Sequence, residues 1–122
     1  MSLGAVIPVL RMFDEHKAKE FYLDYLGFDV VFEHRFESDL PLYMGIHRGS
    51  CVLHLTEHHA DACPGSAIRV VSDDLDALHS ELTAKKYGFY RPEMQVMPWG
   101  SKDMQVIDPF GNKITFSMNI ST

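Results

Sequence analysis

His54 stands in the run Cys51-Val52-Leu53-His54-Leu55-Thr56. Successive side chains of a strand point to opposite faces. If Cys51, Leu53 and Leu55 pack inward, Val52, His54 and Thr56 face the other way, toward the space a ligand would use. There His54 is either a ligand contact or an interior histidine satisfied by hydrogen bonds. Trp99 is the only tryptophan and lies between Pro98 and Gly100, a turn-like setting that restricts the backbone. An aromatic side chain on a loop can stack on a planar or cationic molecule; the competing role is closure of the core or of a subunit interface. Arg69, in Ala67-Ile68-Arg69-Val70-Val71, would welcome an anionic group and repel a cation. His58, His59, Asp61 and Cys63 are side chains that bind transition metals, but no second cluster follows at metal-site spacing, so a solvated loop is expected. Glu33, Glu37, Asp39 and Glu57 either steer a cation or simply form a solvated face. Asp108 is expected to fix a turn. No Ser/His/Asp or Cys/His arrangement is indicated, and Gly45 and Gly49 lack the Lys-Ser/Thr of a phosphate loop. No catalytic residue is therefore assigned.

These side chains need elements to hold them. Residues 14–26 read as a helix in which Ala18, Phe21, Tyr22, Tyr25 and Leu26 form one apolar face. Asp14 caps its start and Gly27 ends it. Residues 74–86 read as a second helix, with Leu75, Leu78, His79 and Leu82 on one face and Asp73 as its cap. The helices end alike, at Leu26-Gly27-Phe28 and Tyr87-Gly88-Phe89, 61 residues apart. A strand precedes each helix, at residues 5–11 and 67–71. Three follow each: 28–36, 41–47 and 51–57, then 89–96, 102–107 and 113–119. Turn residues separate them, most clearly Asp108-Pro109-Phe110-Gly111-Asn112. In the last strand Ile114, Phe116 and Met118 should face the helices, leaving Thr115 and Ser117 toward the cleft. The chain thus reads βαβββ twice, as modules 4–57 and 67–119 joined by the loop 58–66. Halves of this size are marginal alone, so one α+β domain is expected in which they pack together and share a cleft.

Composition narrows the function. The 122 residues carry 11 Lys and Arg against 17 Asp and Glu, a formal charge of −6, which argues against nucleic acid as a partner. No apolar run is long enough to span a membrane. The opening Met1-Ser2-Leu3-Gly4 lacks the pattern of a signal peptide. Cys51 and Cys63 are the only cysteines and do not suggest a disulfide framework. A cytoplasmic protein is expected.

The order of elements resembles the glyoxalase/bleomycin-resistance/dioxygenase superfamily, the vicinal-oxygen-chelate proteins, and most of all its bleomycin-resistance branch. Three stretches carry the likeness: the opening Ala5-Val6-Ile7-Pro8-Val9-Leu10; Glu20-Phe21-Tyr22 through Leu26-Gly27-Phe28; and Pro98-Trp99-Gly100 followed by Asp108-Pro109-Phe110-Gly111-Asn112. The resemblance implies tandem βαβββ modules forming a curved mixed sheet around a cleft. It implies Trp99 in that cleft and places Phe32, Phe36 and Tyr43 at aromatic positions lining it, although ordinary sheet packing explains these three equally well. The four metal positions of the enzymatic relatives fall near Ile7, His54, Ala67 (or Ser66) and Thr115. Only His54 is a credible ligand, whereas a catalytic site needs about three. No metal and no cofactor are therefore expected, and Thr115 joins Trp99, His54, Phe32, Phe36, Tyr43 and Arg69 as a ligand-binding candidate. The binding branch carries tryptophan where this chain has Arg69, which sets a cation against a cationic drug. The resemblance further implies a homodimer that sequesters a small aromatic molecule, bleomycin-like and cationic ones included. The alternatives are a metal-dependent lyase, isomerase or dioxygenase of the same fold, drawing on His54 with Glu57, His47 or a histidine of the loop 58–66, and an accessory domain with an empty cleft.

Overall fold

A computed structural model describes residues 2–85 and 92–120. Strand β1 (Val9–Arg11) leads into helix α1 (Glu15–Lys19), which widens into a π-helical turn over Glu20–Tyr25. Strands β2 (Asp29–His34), β3 (Tyr43–Arg48) and β4 (Cys51–Thr56) complete the first module. The second contains β5 (Ala67–Val71), α2 (Leu75–Ala84), β6 (Met94–Val96), β7 (Ser101–Ile107) and β8 (Lys113–Asn119). The fold is α+β, with two four-stranded mixed sheets ordered β1-β4-β3-β2 and β5-β8-β7-β6. In each, the first strand runs parallel to the last and the other pairs are antiparallel. The second Gly-Phe exit, Tyr87-Gly88-Phe89, and the start of the expected 89–96 strand lie outside the described residues.

The first helix follows its sequence signals. The Asp14 carboxylate accepts from the Lys17 amide at 2.9 Å, and Ala18, Phe21, Tyr22, Tyr25 and Leu26 are all buried. Gly27 takes φ 78°, a conformation that costs glycine little, and turns the chain into β2. Several boundaries differ from expectation, three of them with a clear physical cause. The cap of α2 is Asp74, which accepts from the Ala77 amide at 3.0 Å, and not Asp73; either side chain can cap, and the helix starts one residue later. The first strand is three residues rather than seven, because Pro8 has no N–H to give the ladder; its carbonyl still accepts from the His54 amide at 2.9 Å. Strand β2 ends at His34, where Arg35 turns aside to donate to the Leu40 carbonyl and to Glu15.

One face of each sheet packs inward. Met44, Ile46, Leu53 and Leu55 from the first, and Met104, Val106, Ile114 and Phe116 from the second, join the helix residues in one buried cluster. The modules are locked at one end of their seam by the turn 108–112. There Tyr22 donates to the Asp108 carboxylate at 2.6 Å, and the Asn112 side-chain amide donates to the Arg11 carbonyl at 2.8 Å. Phe110 packs edge-on to Phe13 at 5.9 Å. At the other end Arg48 donates to the Leu26 carbonyl and to both Glu81 oxygens, each at 2.8 Å. The hairpin there has only Gly49-Ser50 between its strands and does not fill the seam, which keeps a cavity of about 530 Å3.

A buried hydrogen bond to a charged acceptor contributes about 1.5–3 kcal/mol. Tyr22→Phe should therefore lower unfolding stability by about that amount in urea titrations with an unchanged slope, and an unaltered midpoint would remove the Tyr22–Asp108 bond from its locking role.

Candidate functional site

The two sheets turn their second faces outward, and each carries a different chemistry. On the first, Phe32, Gly45, His54 and Val9 stand in one row across β2, β3, β4 and β1. The Phe32 ring lies so close over Gly45 that a Cβ there would collide with it. Phe32 stacks on Tyr43 at 6.1 Å, and both rings meet His54 edge-on at 5.3 Å. The Tyr43 hydroxyl and His54 Nδ1 share a hydrogen bond of 2.8 Å. Burial, then the charge of Asp61, pushes the Tyr43 phenol up, so it stays neutral. Thr56 stands on this face opposite Tyr43, as its alternation suggested, but it is fully buried there, and its hydroxyl donates to Asp61 at 2.7 Å. Phe36 lies beyond the end of β2, is 74% exposed, and meets only His34 and His58 among described rings; it does not share a strand face with Phe32.

On the second sheet Arg69, Thr115 and Gln105 form one row, and Gln95, Asp103 and Ser117 the next. A trough of about 490 Å3 runs over them, walled by Met97, Trp99 and Glu93. Trp99 is 64% exposed on the turn between β6 and β7. Its indole N–H donates to the Ser101 hydroxyl at 2.9 Å, and Ser101 in turn donates to Asp103 at 2.9 Å. Ser117 donates to the same carboxylate at 2.7 Å and Arg69 at 3.0 Å. Burial alone would raise the Asp103 carboxyl, but the hydrogen bonds of Ser117, Ser101 and Arg69, with the charge of Arg69, outweigh it and hold it below its ordinary value. Arg69, read from sequence as a cation set against a cationic ligand, is thus paired with Asp103 at 3.0 Å.

Of the sequence candidates, Trp99, Arg69 and Thr115 come together in this trough, while Phe32, Tyr43 and His54 form the other face. No residue of the first sheet lines the trough. Asp103, Ser101, Gln95 and Gln105 were not singled out by sequence, although Ser101, Asp103 and Gln105 alternate in β7 and mark the polar face of that strand. Of the acidic residues near the first sheet, Glu33 pairs with Lys19 at 2.7 Å and Glu57 accepts from the Leu42 amide at 2.8 Å. Of the positions where enzymatic relatives hold a metal, His54 has one nitrogen engaged by Tyr43, Ile7 lies before β1, and Ala67 and Thr115 offer at most a hydroxyl. Among the described residues no three His, Cys, Asp or Glu side chains gather around one point. The residues present do not fit a divalent ion there. In the seam cavity, Leu26, Phe28 and Phe116 form apolar walls, and burial pushes the Cys51 thiol up; Arg48, which also lines it, is committed to Glu81.

A family model described as glyoxalase superfamily protein matches residues 1–122. Among solved structures, the chain is similar to a bleomycin-binding protein from bleomycin-producing Streptomyces verticillus, complexed with copper(II)-bleomycin. Identity is 28%, 95% of this chain and 96% of that one are covered, and the TM-score is 0.72. It is similar to a bleomycin resistance determinant encoded on the transposon Tn5, at 19% identity, 96% and 98% coverage and TM-score 0.73. A lactoylglutathione lyase from Agrobacterium tumefaciens is similar at 18% identity, 97% and 96% coverage and TM-score 0.74. These last two show a shared fold alone. No curated protein matches the chain.

Two outcomes follow from the geometry. Gly45→Ala forces the Phe32 ring off the sheet and should cost about 1–3 kcal/mol in urea unfolding, as overpacking does; Phe32→Ala in the same chain should recover part of it. The stability that Asp103 contributes is full above the ordinary aspartate value near 3.8 and is lost as pH falls through its lower folded value. Asp103→Asn should remove that share of the acid limb in a pH series of unfolding midpoints.

Proposed function

The chain belongs to the glyoxalase superfamily, and on that footing we propose that it binds and sequesters a small planar aromatic molecule of the bleomycin type, without metal and without chemistry on the ligand. The observation that carries this reading is the exposed indole of Trp99, held by Ser101 at the wall of a polar trough. A concave surface with one aromatic plane and a few fixed polar groups is what ligand capture requires. Gln95, Gln105 and Thr115 supply neutral donors and acceptors, so amide and hydroxyl substituents of such a ligand find partners. The likeness to a bleomycin-binding protein over nearly the full chain supports the ligand class.

The proposal includes a homodimer working in the cytoplasm, with drug resistance as its consequence. On the aromatic face Phe32 is 39% exposed, and Tyr43 and His54 are half-buried. A second copy related by a two-fold axis would set that face opposite the trough, and symmetry would then give two equal clefts. Each would hold aromatic side chains on one wall and hydrogen-bonding groups on the other.

The test is metal analysis of the purified protein, its mass in solution, and titration with metal-free bleomycin while following Trp99 fluorescence. A metal-free dimer with saturable quenching at one drug per chain is expected. Trp99→Ala should weaken binding about tenfold, read by calorimetry, because stacking contributes about 0.5–1.5 kcal/mol beyond the area it buries. One tightly held divalent ion per chain, or no saturable binding, would overturn the reading.

A further inference from the structure

Among the described residues, the trough on the second sheet holds one cation, Arg69, and two carboxylates, Asp103 and Glu93. They do not meet a ligand equally. The Arg69 side chain is 55% exposed, whereas that of Asp103 is 10% exposed and lies beneath it. Both Asp103 oxygens are in use: one accepts from Ser101 and Ser117 at 2.9 and 2.7 Å, the other from Arg69 at 3.0 Å. Arg69 also donates to the Ser117 hydroxyl at 3.2 Å, so the guanidinium is held down on the strand. Glu93 lies exposed at the trough wall with no ion-pair partner among the described residues.

From this arrangement we infer that Asp103 determines the charge selectivity of the trough: it cancels Arg69 from below, so that aromatic cations are admitted and aromatic anions are refused. The inference rests on the trough being the binding site and adds which ligands it accepts. A guanidinium keeps its charge at every working pH, so only a fixed counter-charge can silence Arg69. With that charge cancelled, Glu93 and the face of the Trp99 ring both favour a cation. The same carboxylate aligns the indole through Ser101, which makes Asp103 a positioning residue as well as a charge filter. A unit charge about 6 Å from a ligand, at an effective dielectric constant of about 20–80, changes affinity by roughly three- to a hundredfold.

The full-length protein is titrated with thioflavin T as an aromatic cation and with 8-anilinonaphthalene-1-sulfonate as an aromatic anion. Quenching of Trp99 reports both, and Asp103→Asn and Arg69→Gln are measured beside the unaltered chain. The unaltered chain should prefer the cation. Asp103→Asn uncovers Arg69 and should move the cation-to-anion affinity ratio about tenfold toward the anion. Arg69→Gln leaves Asp103 uncancelled and should move it about tenfold the other way. Damage to the fold weakens both dyes together and cannot drive the ratio in opposite directions, and Arg69→Gln, at an exposed side chain, keeps the test decisive if Asp103→Asn does not fold. A ratio unchanged in both variants, or shifted the same way, overturns the charge filter and leaves the trough as a binding site. Quenching by neither dye in the unaltered chain overturns the aromatic-ligand reading and this inference with it.

Discussion

The Asp108 carboxylate is the point on which the packing of the two modules turns. It is buried, and it accepts from the Tyr22 hydroxyl, the backbone amides of Phe110 and Asn112, and the Asn112 side chain. A buried carboxylate is costly unless its oxygens are satisfied. Here that satisfaction requires the last turn of the second module to sit against the helix of the first. The turn cannot hold its shape without the carboxylate, and the carboxylate cannot stay buried without the helix. The apolar faces of both sheets then close into one core, which neither half could complete.

The seam so formed is not symmetric. Both modules have the same order of strands, but the hairpin between β7 and β8 has a five-residue turn and the one between β3 and β4 has two residues. The longer turn carries Phe110, Asp108 and Asn112 into the seam and fills it. The shorter one sends only Arg48, whose pairing with Glu81 spans the gap without closing it. That pairing holds the Glu81 carboxyl down, chiefly through its hydrogen bond, and ties β3 to α2.

With their inner faces committed to the core, the sheets are left with outer faces of unlike character. The first offers rings packed over a glycine, the second a trough of hydrogen-bonding side chains arranged around one buried carboxylate. Asp103 connects the charge of Arg69 to the orientation of Trp99, two features that belong to different strands and different turns. Binding in such a site needs preorganisation more than reactivity, because groups already ordered lose less freedom when the ligand arrives.

How much of this was legible in the sequence follows from what periodicity reports. Alternation and helical spacing tell which face of an element is apolar, so the two βαβββ modules, the buried face from Ala18 to Leu26, and the inward Leu53, Leu55, Ile114 and Phe116 were all readable. So was Gly27, since few other residues take that backbone conformation. Trp99 was marked by its turn, and its placement with Arg69 and Thr115 follows from strand order. Periodicity does not report which faces meet, and so it set Phe36 on the same face as Phe32 and did not show that, within one chain, His54 and Trp99 stand on different sheets. Arg69 read as a repelling cation because its counter-charge lies 34 residues away on β7. Only the register of β5, β8 and β7 brings Asp103 beneath it: the sequence determined the faces, and the tertiary packing decided which charges on them a ligand would meet.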